Sequence, residues 1–564
     1  MAYTLYMNGM HELMTLPNLP KDALLFVPLG GSGEIGMNLN LYGCNGKWVM
    51  VDFGMTFAEP HLPGIELVFP DPAFIETLRD DLLGIVLTHG HEDHIGAVPY
   101  LWPDLEVPIY ATPFTCGLVR TKLAEMGLHE QAPLIEIPVG GEFLLGDFKF
   151  KYVPLAHSIP EGNALVIDTP YGRVFHTGDW KMDNDPVLGS PALPQELRDI
   201  GDEGVLALVG DSTNVFNANS SGSEGKVRDT LIPLLQNRPG RILVSTFASN
   251  AARLDTIGRV AEATGRKLIV VGRSLKRIIT VAKATGYLED FPDIYDEEEA
   301  ASLPREKQLI ICTGCQGEAR AALNRIAFGD HKHVHLVPND LVVFSSKVIP
   351  GNERSIARIY NQLAILNVDV LTEKDAFIHV SGHPGQPDLK QMYEWIRPEV
   401  AVPVHGEMRH MKKHAELAKS YGVENTVVPF NGSVIQLAPG TAGHIAEVAA
   451  ARLLLDGDDI VAEDSASILE RRRLANNGYA FVHIILDKKG RLALDPVYTI
   501  KGVPGAHDDE LLELFADAID NVLGSGKPHR DNEVLAESIR IAIRRIIRAY
   551  TGKNTLTEVL VTKS

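Results

Sequence analysis

The chain is short of several things, and each shortage excludes a class of protein. Four cysteines in 564 residues cannot staple a chain of this length, which excludes a disulfide framework and fits a reducing compartment. No apolar run reaches the ~18 residues that a bilayer-spanning helix requires, so no membrane partner is expected. The opening MAYTLYMNGMHELM lacks a basic segment followed by an apolar one, and no export signal is read there. Basic charge is also in deficit: 53 Lys and Arg against 73 Asp and Glu leave a formal net charge of −20. That excludes a globally basic, histone-like nucleic-acid binder but leaves a local basic groove open. Neither internal repeats nor low-complexity tracts are present. What remains, 45% hydrophobic and 22% charged residues, is ordinary globular composition. At about 150 residues per domain the length gives three or four units of a cytoplasmic protein.

Residues 23–208 alternate short apolar runs with turns, as in ALLFVPLGG, GIVLTHG, FKFKYVPLAH and NALVIDTPYGRVFHTGD. Such runs bounded by Gly, Asn or Asp read as strands, with hairpin turns at Asn45-Gly46 and Pro170-Tyr171-Gly172. From 212 to 376 longer helical stretches alternate with buried strands, which suggests βαβ units over a parallel sheet. Strands return at AFIHVSGH and AVPVHGE, before a helix through MRHMKKHAELAKSYG. Residues 456–477 read as a charged linker. Beyond it lies a small α+β unit: strands YAFVHIIL and RLALDPVYTI, helices near 508–523 and 531–550, and a last strand at TLTEVLVT.

Several motifs lead nowhere. Residues 31–36 match GxGxxG, but MNLNLY follows with period 2 where a dinucleotide site needs a helix. This reads as a glycine-rich loop whose backbone can approach a ligand closely. Cys312-Thr313-Gly314-Cys315 has no second pair to complete a zinc site and reads as two cysteines flanking a turn. His331, His333 and His335 read as a solvated edge. Arg540, Arg544 and Arg548 lie opposite Ile539, Ile543, Ile546 and Ile547 on an amphipathic helix with a solvated basic face.

One motif carries chemistry. After the strand GIVLT come His89-Gly90-His91-Glu92-Asp93-His94, three imidazoles and acidic residues within six positions. Neutral imidazole and carboxylate suit Zn²⁺, and also Mn²⁺ or Fe²⁺. A loop leaving a strand can aim alternate residues at two ions. Further ligands must come from distant chain, and His157, Asp179 and His405 each sit where a strand meets a loop.

THGHEDHIGA is similar to the signature of the metallo-β-lactamase superfamily, and Asp52 in VDFG resembles its first, structural aspartate. LAHSIP, HTGDW, GDSTN, STFASN, TGCQGE, HVSGH and PVHGE, in that order, resemble the β-CASP branch and, within it, ribonuclease J. The resemblance runs from about residue 22 to the C-terminus. It implies a four-layer αβ/βα metallo-β-lactamase domain in two parts (1–212 and 377–455), an inserted α/β β-CASP domain (213–376), a linker (456–477) and an α+β C-terminal domain (478–564). It implies that His89, His91 and His157 hold one metal ion and Asp93, His94 and His405 a second, with Asp179 bridging; Zn²⁺ is the first choice and Mn²⁺ the second.

Two such ions can activate a water and neutralise a phosphodiester, and Asp93 thereby takes part in catalysis. His383 is the candidate acid or stabiliser for the leaving 3′-oxygen, or else orients Asp211 or the phosphate. Asp211 is the candidate carboxylate that orients a ligand histidine. Ser345, Ser346, His379, Ser381 and Gly382, with His383, resemble a pocket for a 5′-monophosphate. Pro384, Gly385, Cys315 and Lys347 depart from the family pattern around it. The implied activity is 5′→3′ exonucleolytic and also endonucleolytic hydrolysis of RNA, in maturation and decay. The implied partners are RNA, a second or further copies through the C-terminal domain (dimer or tetramer), and other RNA-decay proteins. A DNA nuclease or other hydrolase on the same site, and a catalytically silent RNA-binding scaffold, remain as alternatives.

Overall fold

The computed structural model describes residues 17–524 and 531–564; the opening residues read for an export signal lie outside them. The chain divides into two units, one holding residues up to Thr56 and Phe69–Ala451, the other Phe57–Val68 and Arg452–Ser564.

The first unit contains two large sheets. One has eight strands in the order Gly443–Glu447, Ser433–Ala438, Leu24–Gly30, Leu39–Cys44, Lys47–Val51, Leu82–Val86, Ile109–Ala111 and Leu134–Glu136. The other has seven: Glu142–Leu145, Phe148–Pro154, Asn163–Thr169, Gly172–His176, Ala207–Asp211, Val400–Val404 and Asn425–Thr426. Their inner faces meet, with Phe26, Tyr42, Val49 and Val86 against Phe150, Tyr152, Ile167 and Val209. Leu24–Gly30 and Leu39–Cys44 are buried along their whole length, as strands covered on both faces must be. On the far side of the seven-stranded sheet, Val153, Val166, Phe175 and Leu208 pack on Leu197 of helix Pro194–Asp202 and on Leu389, Met392 and Trp395 of helix Gln386–Ile396. Each large apolar side chain fully buried in these layers contributes roughly 1.5–3 kcal/mol.

Residues 242–371 form a third sheet of six strands, all neighbours parallel, in the order Ile294–Tyr295, Lys267–Val271, Gln308–Cys312, Ile242–Ser245, Leu341–Phe344 and Asp369–Leu371. Helices such as Ala251–Ala263 and Glu353–Ile365 make the crossovers. This is the parallel βαβ body expected from the texture of the sequence.

In the second unit, Tyr479–Leu486 alternates buried and half-buried residues and lies between Val497–Lys501 and Leu556–Lys563. Its Ala480, Val482, Ile484 and Leu486 pack on Phe515 and Ile519 of helix Asp509–Leu523 and on Leu535, Ile539, Ile543 and Ile547 of helix Asn532–Thr551. Arg544 and Arg548 are exposed and Arg540 pairs with Glu537 at 2.6 Å, so this helix carries the solvated basic face read from its sequence.

The structure differs from the sequence reading in four places. Residues 456–477 are no linker: Arg452–Asp456 and Asp459–Ala462 form a hairpin, and Ala466–Asn477 is a helix. Arg471 on that helix donates to both oxygens of Asp456, at 2.9 and 2.7 Å, and so ties the helix to the hairpin. RLAL forms no strand before Val497; it makes a single antiparallel bridge, Leu492 to Leu486, with the Ala493 N–H donated to the Ile485 carbonyl at 2.8 Å. FIHV is a loop because the Ile378 carbonyl is taken by the Ser345 hydroxyl (2.7 Å) and the Arg253 guanidinium (3.1 Å). His331 is not on a solvated edge. It is buried, its Nδ1 accepts the Val334 N–H at 3.2 Å, and Glu297 lies 3.5 Å from its Nε2.

Candidate metal centre

Parallel register sets the site. Gly172–His176, Ala207–Asp211 and Val400–Val404 run side by side, with Asp211 opposite Val404, so the loops that follow, carrying Asp179 and His405, leave from one edge of the sheet. The loop after Leu82–Val86 brings His89 to His94 from the other sheet. Two strand-end residues hold left-handed backbone, Asp52 at φ +63° and His405 at φ +50°. Non-glycine residues persist there only when their surroundings hold them, and such strain gathers at functional sites.

Three of the five clustered histidines, His89, His94 and His157, have their outer nitrogen fixed. His94 Nδ1 donates to Asp52 at 2.7 Å, and Thr88 donates to the same carboxylate at 2.9 Å. The Thr88 hydroxyl, its proton so placed, accepts from His89 Nδ1 at 3.0 Å. His157 Nδ1 donates to the Gly382 carbonyl at 2.6 Å. These bonds leave the Nε2 lone pairs of His89, His94 and His157 facing inward. His91 is turned the other way, its Nδ1 lying 3.1 Å from His89 Nε2 and 3.0 Å from His157 Nε2. Two glycines make this possible: a Cβ on Gly54 would fall 1.7 Å from the Asp93 carbonyl oxygen, and one on Gly382 would fall 2.8 Å from the His157 ring.

Asp179 stands at the middle. Its Oδ2 is 3.8 Å from Nε2 of both His89 and His157, 3.3 Å from Nε2 of His94 and 3.4 Å from Nε2 of His405. Asp93 completes the second side, 3.7 Å from His94 and 3.6 Å from His405. The ligand atoms of His89, His91, His157 and Asp179 all lie within 4.8 Å of one another, as do those of Asp93, His94, Asp179 and His405.

The electrostatics sort the same residues. Burial and mutual repulsion among the imidazoles push His89 and His157 well below the usual range and His91 down to about 3. These three are therefore neutral, the form that binds a metal. Burial works against charge on His94 and His405 too, but Asp179 outweighs it and raises both. Asp179 in turn is held well below the carboxylate range by His405, His94 and His383, in spite of its burial. Neither ring nitrogen of His405 has a hydrogen-bond partner, although both are buried. An orphaned pair of this kind, facing a carboxylate and inward lone pairs, fits a divalent cation.

His383 and Asp211 stand beside this cluster. His383 Nδ1 donates to Asp211 at 2.8 Å and lies 3.8 Å from Asp179. Burial lowers the His383 pKa, but Asp211 and Asp179 more than offset it and hold the ring up at about 9. Asp211 thus orients His383 and none of the clustered histidines, and its other oxygen accepts the Thr213 N–H at 2.8 Å.

The serine pocket is less open than its sequence suggests. Ser345 is fully buried; its hydroxyl donates to the Ile378 carbonyl and accepts from Arg253 at 2.5 Å, leaving nothing for a ligand. Ser346 is buried as well, and the Ser381 hydroxyl accepts the His383 N–H at 3.1 Å. His379 keeps a buried Nδ1 without a partner, and burial together with Arg253, Lys181 and Lys347 pushes its pKa well down. Of the residues departing from the pattern, Gly385 is required by space: a Cβ there would lie 1.9 Å from the Asn219 carbonyl oxygen. Burial raises the thiols of Cys312 and Cys315 to about 12, so both are unreactive. The glycine loop at 31–36 pairs through Ser32–Gly33 with Gly406–Glu407, and no helix starts there.

Sequence reading missed Thr88, Asn38 (3.1 Å from both the Asp93 carbonyl and His94 Nε2) and the Glu224–Arg253 pair behind the pocket. Only Arg253 left a trace, as a charge amid the otherwise uncharged NAARL of a buried helix.

Two βα layers back to back, a cluster of five histidines with Asp93 and Asp179 at one edge, and a parallel α/β body between Asp211 and His383 define a metallo-β-lactamase-type hydrolase with a β-CASP domain. Family profiles match four segments: metallo-β-lactamase superfamily over 40–243, ribonuclease J β-CASP domain over 239–363, Zn-dependent metallo-hydrolase RNA specificity domain over 367–429, and ribonuclease J C-terminal domain over 466–563. The chain is 41% identical to ribonuclease J of Sinorhizobium meliloti over 96% of its own length and 98% of the relative's. It is 38% identical to ribonuclease J 1 of Streptococcus pyogenes (85% and 86%) and 33% identical to ribonuclease J of Thermus thermophilus (95% of each). The chain belongs to the ribonuclease J family. A solved Enterococcus faecalis protein of unknown function, 15% identical, shares the fold with a TM-score of 0.51 over 73% of this chain and 100% of its own. Among the described residues no helix is long and apolar enough to cross a membrane.

Proposed function

We propose that the chain is a two-metal ribonuclease that hydrolyses RNA 5′→3′ from 5′-monophosphorylated ends and also cuts internally, in RNA maturation and decay. The observation that carries this is Asp179 Oδ2, which lies between two sets of inward-facing imidazole nitrogens at 3.3–3.8 Å. His89, His91 and His157 would hold one ion and Asp93, His94 and His405 the other, with Asp179 shared; Zn²⁺ is the first candidate and Mn²⁺ the second. When bound, divalent ions in such a set offset phosphodiester charge and make a water acidic enough to attack near neutral pH.

The protein's own residues do the remainder. Asp52, Thr88 and the Gly382 carbonyl fix the rings of His94, His89 and His157, so these three imidazoles need not reorient when the phosphate arrives. His383, held protonated by Asp211, gives its Nε2 proton to the leaving 3′-oxygen. Arg253 and Lys181 are neutralised by Glu224 and Asp183, so the exposed Lys347 supplies the positive charge near His379 for a terminal phosphate, and Ser346, Ser381 and Gly382 are assigned to the same pocket. Ser345 serves as a brace behind that pocket. We assign the β-CASP domain to 213–376 between the two parts of the metallo-β-lactamase domain, and self-association, in a cytoplasmic setting, to the C-terminal domain. The double variant Asp93→Ala, Asp179→Ala should cut 5′-monophosphorylated RNA at least roughly 10²–10³-fold more slowly with its melting temperature kept. Unchanged cleavage overturns the mechanism, and DNA cutting without RNA loss overturns the substrate.

A further inference from the structure

Five residues beyond Asp211, the backbone delivers a large aromatic ring to solvent. Phe216 is 52% exposed, in a protein that buries most of its phenylalanines. The loop that carries it is not free to swing. Thr213 donates its hydroxyl to the His405 carbonyl at 3.0 Å, and Asn214 donates to the His383 carbonyl at 3.1 Å. Asn217 donates its N–H to Asn214 at 2.9 Å and accepts the Gln386 N–H at 2.9 Å. The ring is therefore tied to the backbone of both His405 and His383. Its own neighbours are the Arg409 guanidinium, 5.7 Å from the ring centroid, and the His410 imidazole, edge-on at 5.2 Å. Arg409 is held by Glu407 at 2.7 Å, and His410 packs beside Gly406. The glycine loop that found no role in the sequence abuts the same turn, with Glu34 bridged to Gly406 and Ile35 exposed at 43%.

An exposed ring anchored this firmly, with an arginine at its side and a metal centre beyond its loop, suits one occupant. Glu407 and Glu34 at this turn disfavour a phosphate, whereas a nucleobase presents a flat, neutral face to an aromatic ring and an arginine. Stacking of that kind tolerates any base, as an enzyme acting along a single strand requires. We propose that Phe216, flanked by Arg409 and His410, is a stacking platform for a base of single-stranded RNA next to the scissile phosphate. This rests on the nuclease reading above and adds a base-binding subsite to it.

The test uses the full chain and a 5′-monophosphorylated single-stranded RNA oligonucleotide. Phe216→Ala should raise KM about tenfold with kcat little changed, and Phe216→Trp should restore it. Removing one base from the RNA, walked position by position, should cost the wild type the same factor at one position and cost Phe216→Ala nothing further there. Binding is read separately by the fluorescence quenching of 2-aminopurine placed at that position, expected in the wild type and lost in Phe216→Ala. Because the ring is half exposed, the melting temperature should not move. An unchanged KM, independent losses from the two changes, or no quenching in the wild type would overturn the platform. Quenching without cleavage would count against the nuclease reading and leave the platform standing.

Discussion

Thr88, Asp52 and the Gly382 carbonyl each take the outer proton of a centre histidine, and Ser345 shows what such service costs a residue elsewhere. In sequence Ser345 sits in a serine pair of the kind that binds phosphate; in the fold its hydroxyl braces Ile378 and Arg253. Ser345→Ala should therefore lower stability by about 1–3 kcal/mol, read by chemical denaturation, without changing the preference for a 5′-monophosphate. A selective loss of that preference at unchanged stability would return Ser345 to the pocket. The cluster's anchor, His89 to His94, was legible as a group, since HxHxDH is local and its residue types leave few other uses; His157, Asp179 and His405 were singled out as strand-end residues, and their roles came from the family resemblance. Their supports were not legible. Gly382 lies 225 residues from His157, and nothing in either neighbourhood announces that a carbonyl of one will meet the ring of the other.

At the level of elements, the strands and the parallel body were readable because burial imposes period and run length on strands, whereas the two-sheet sandwich was implied by the family resemblance. FIHV misled because it is as apolar as a strand while its carbonyl is claimed by side chains; residues 456–477 misled because charge suggests a linker until Arg471 finds Asp456. The FIHV loop depends on a wholly buried ion pair, Arg253 Nη2 to Glu224 at 3.0 Å. Removing one partner leaves a bare buried charge, so Arg253→Met should destabilise by roughly 3–5 kcal/mol in a denaturant titration. A second buried pair, Lys181 with Asp183 at 2.8 Å, gives a pH signature. Burial alone would raise the Asp183 pKa, but Lys181 and the Glu224 N–H hold it below the usual value. Its stabilisation is thus complete above the unfolded-state pKa of about 4 and is lost as pH falls through the lower folded value. Asp183→Asn should flatten this part of the acid limb of a stability–pH curve; an unaltered limb would remove the pair from the account.

Across the whole molecule, the net charge of −20 looks hostile to a polyanion, and the centre shows how the two coexist. Carboxylates that would repel RNA are gathered around inward imidazole nitrogens, where a divalent cation reverses their local sign. Excess negative charge elsewhere then weakens binding away from the site. The most direct measurement is chelator treatment of the purified chain followed by add-back of Zn²⁺ or Mn²⁺, with metal content and cleavage of 5′-monophosphorylated RNA read together. Cleavage should vanish with the metal and return as the ions are restored. Cleavage that persists in metal-free protein, or metal that returns at full content while RNA stays intact, would contradict the two-metal ribonuclease.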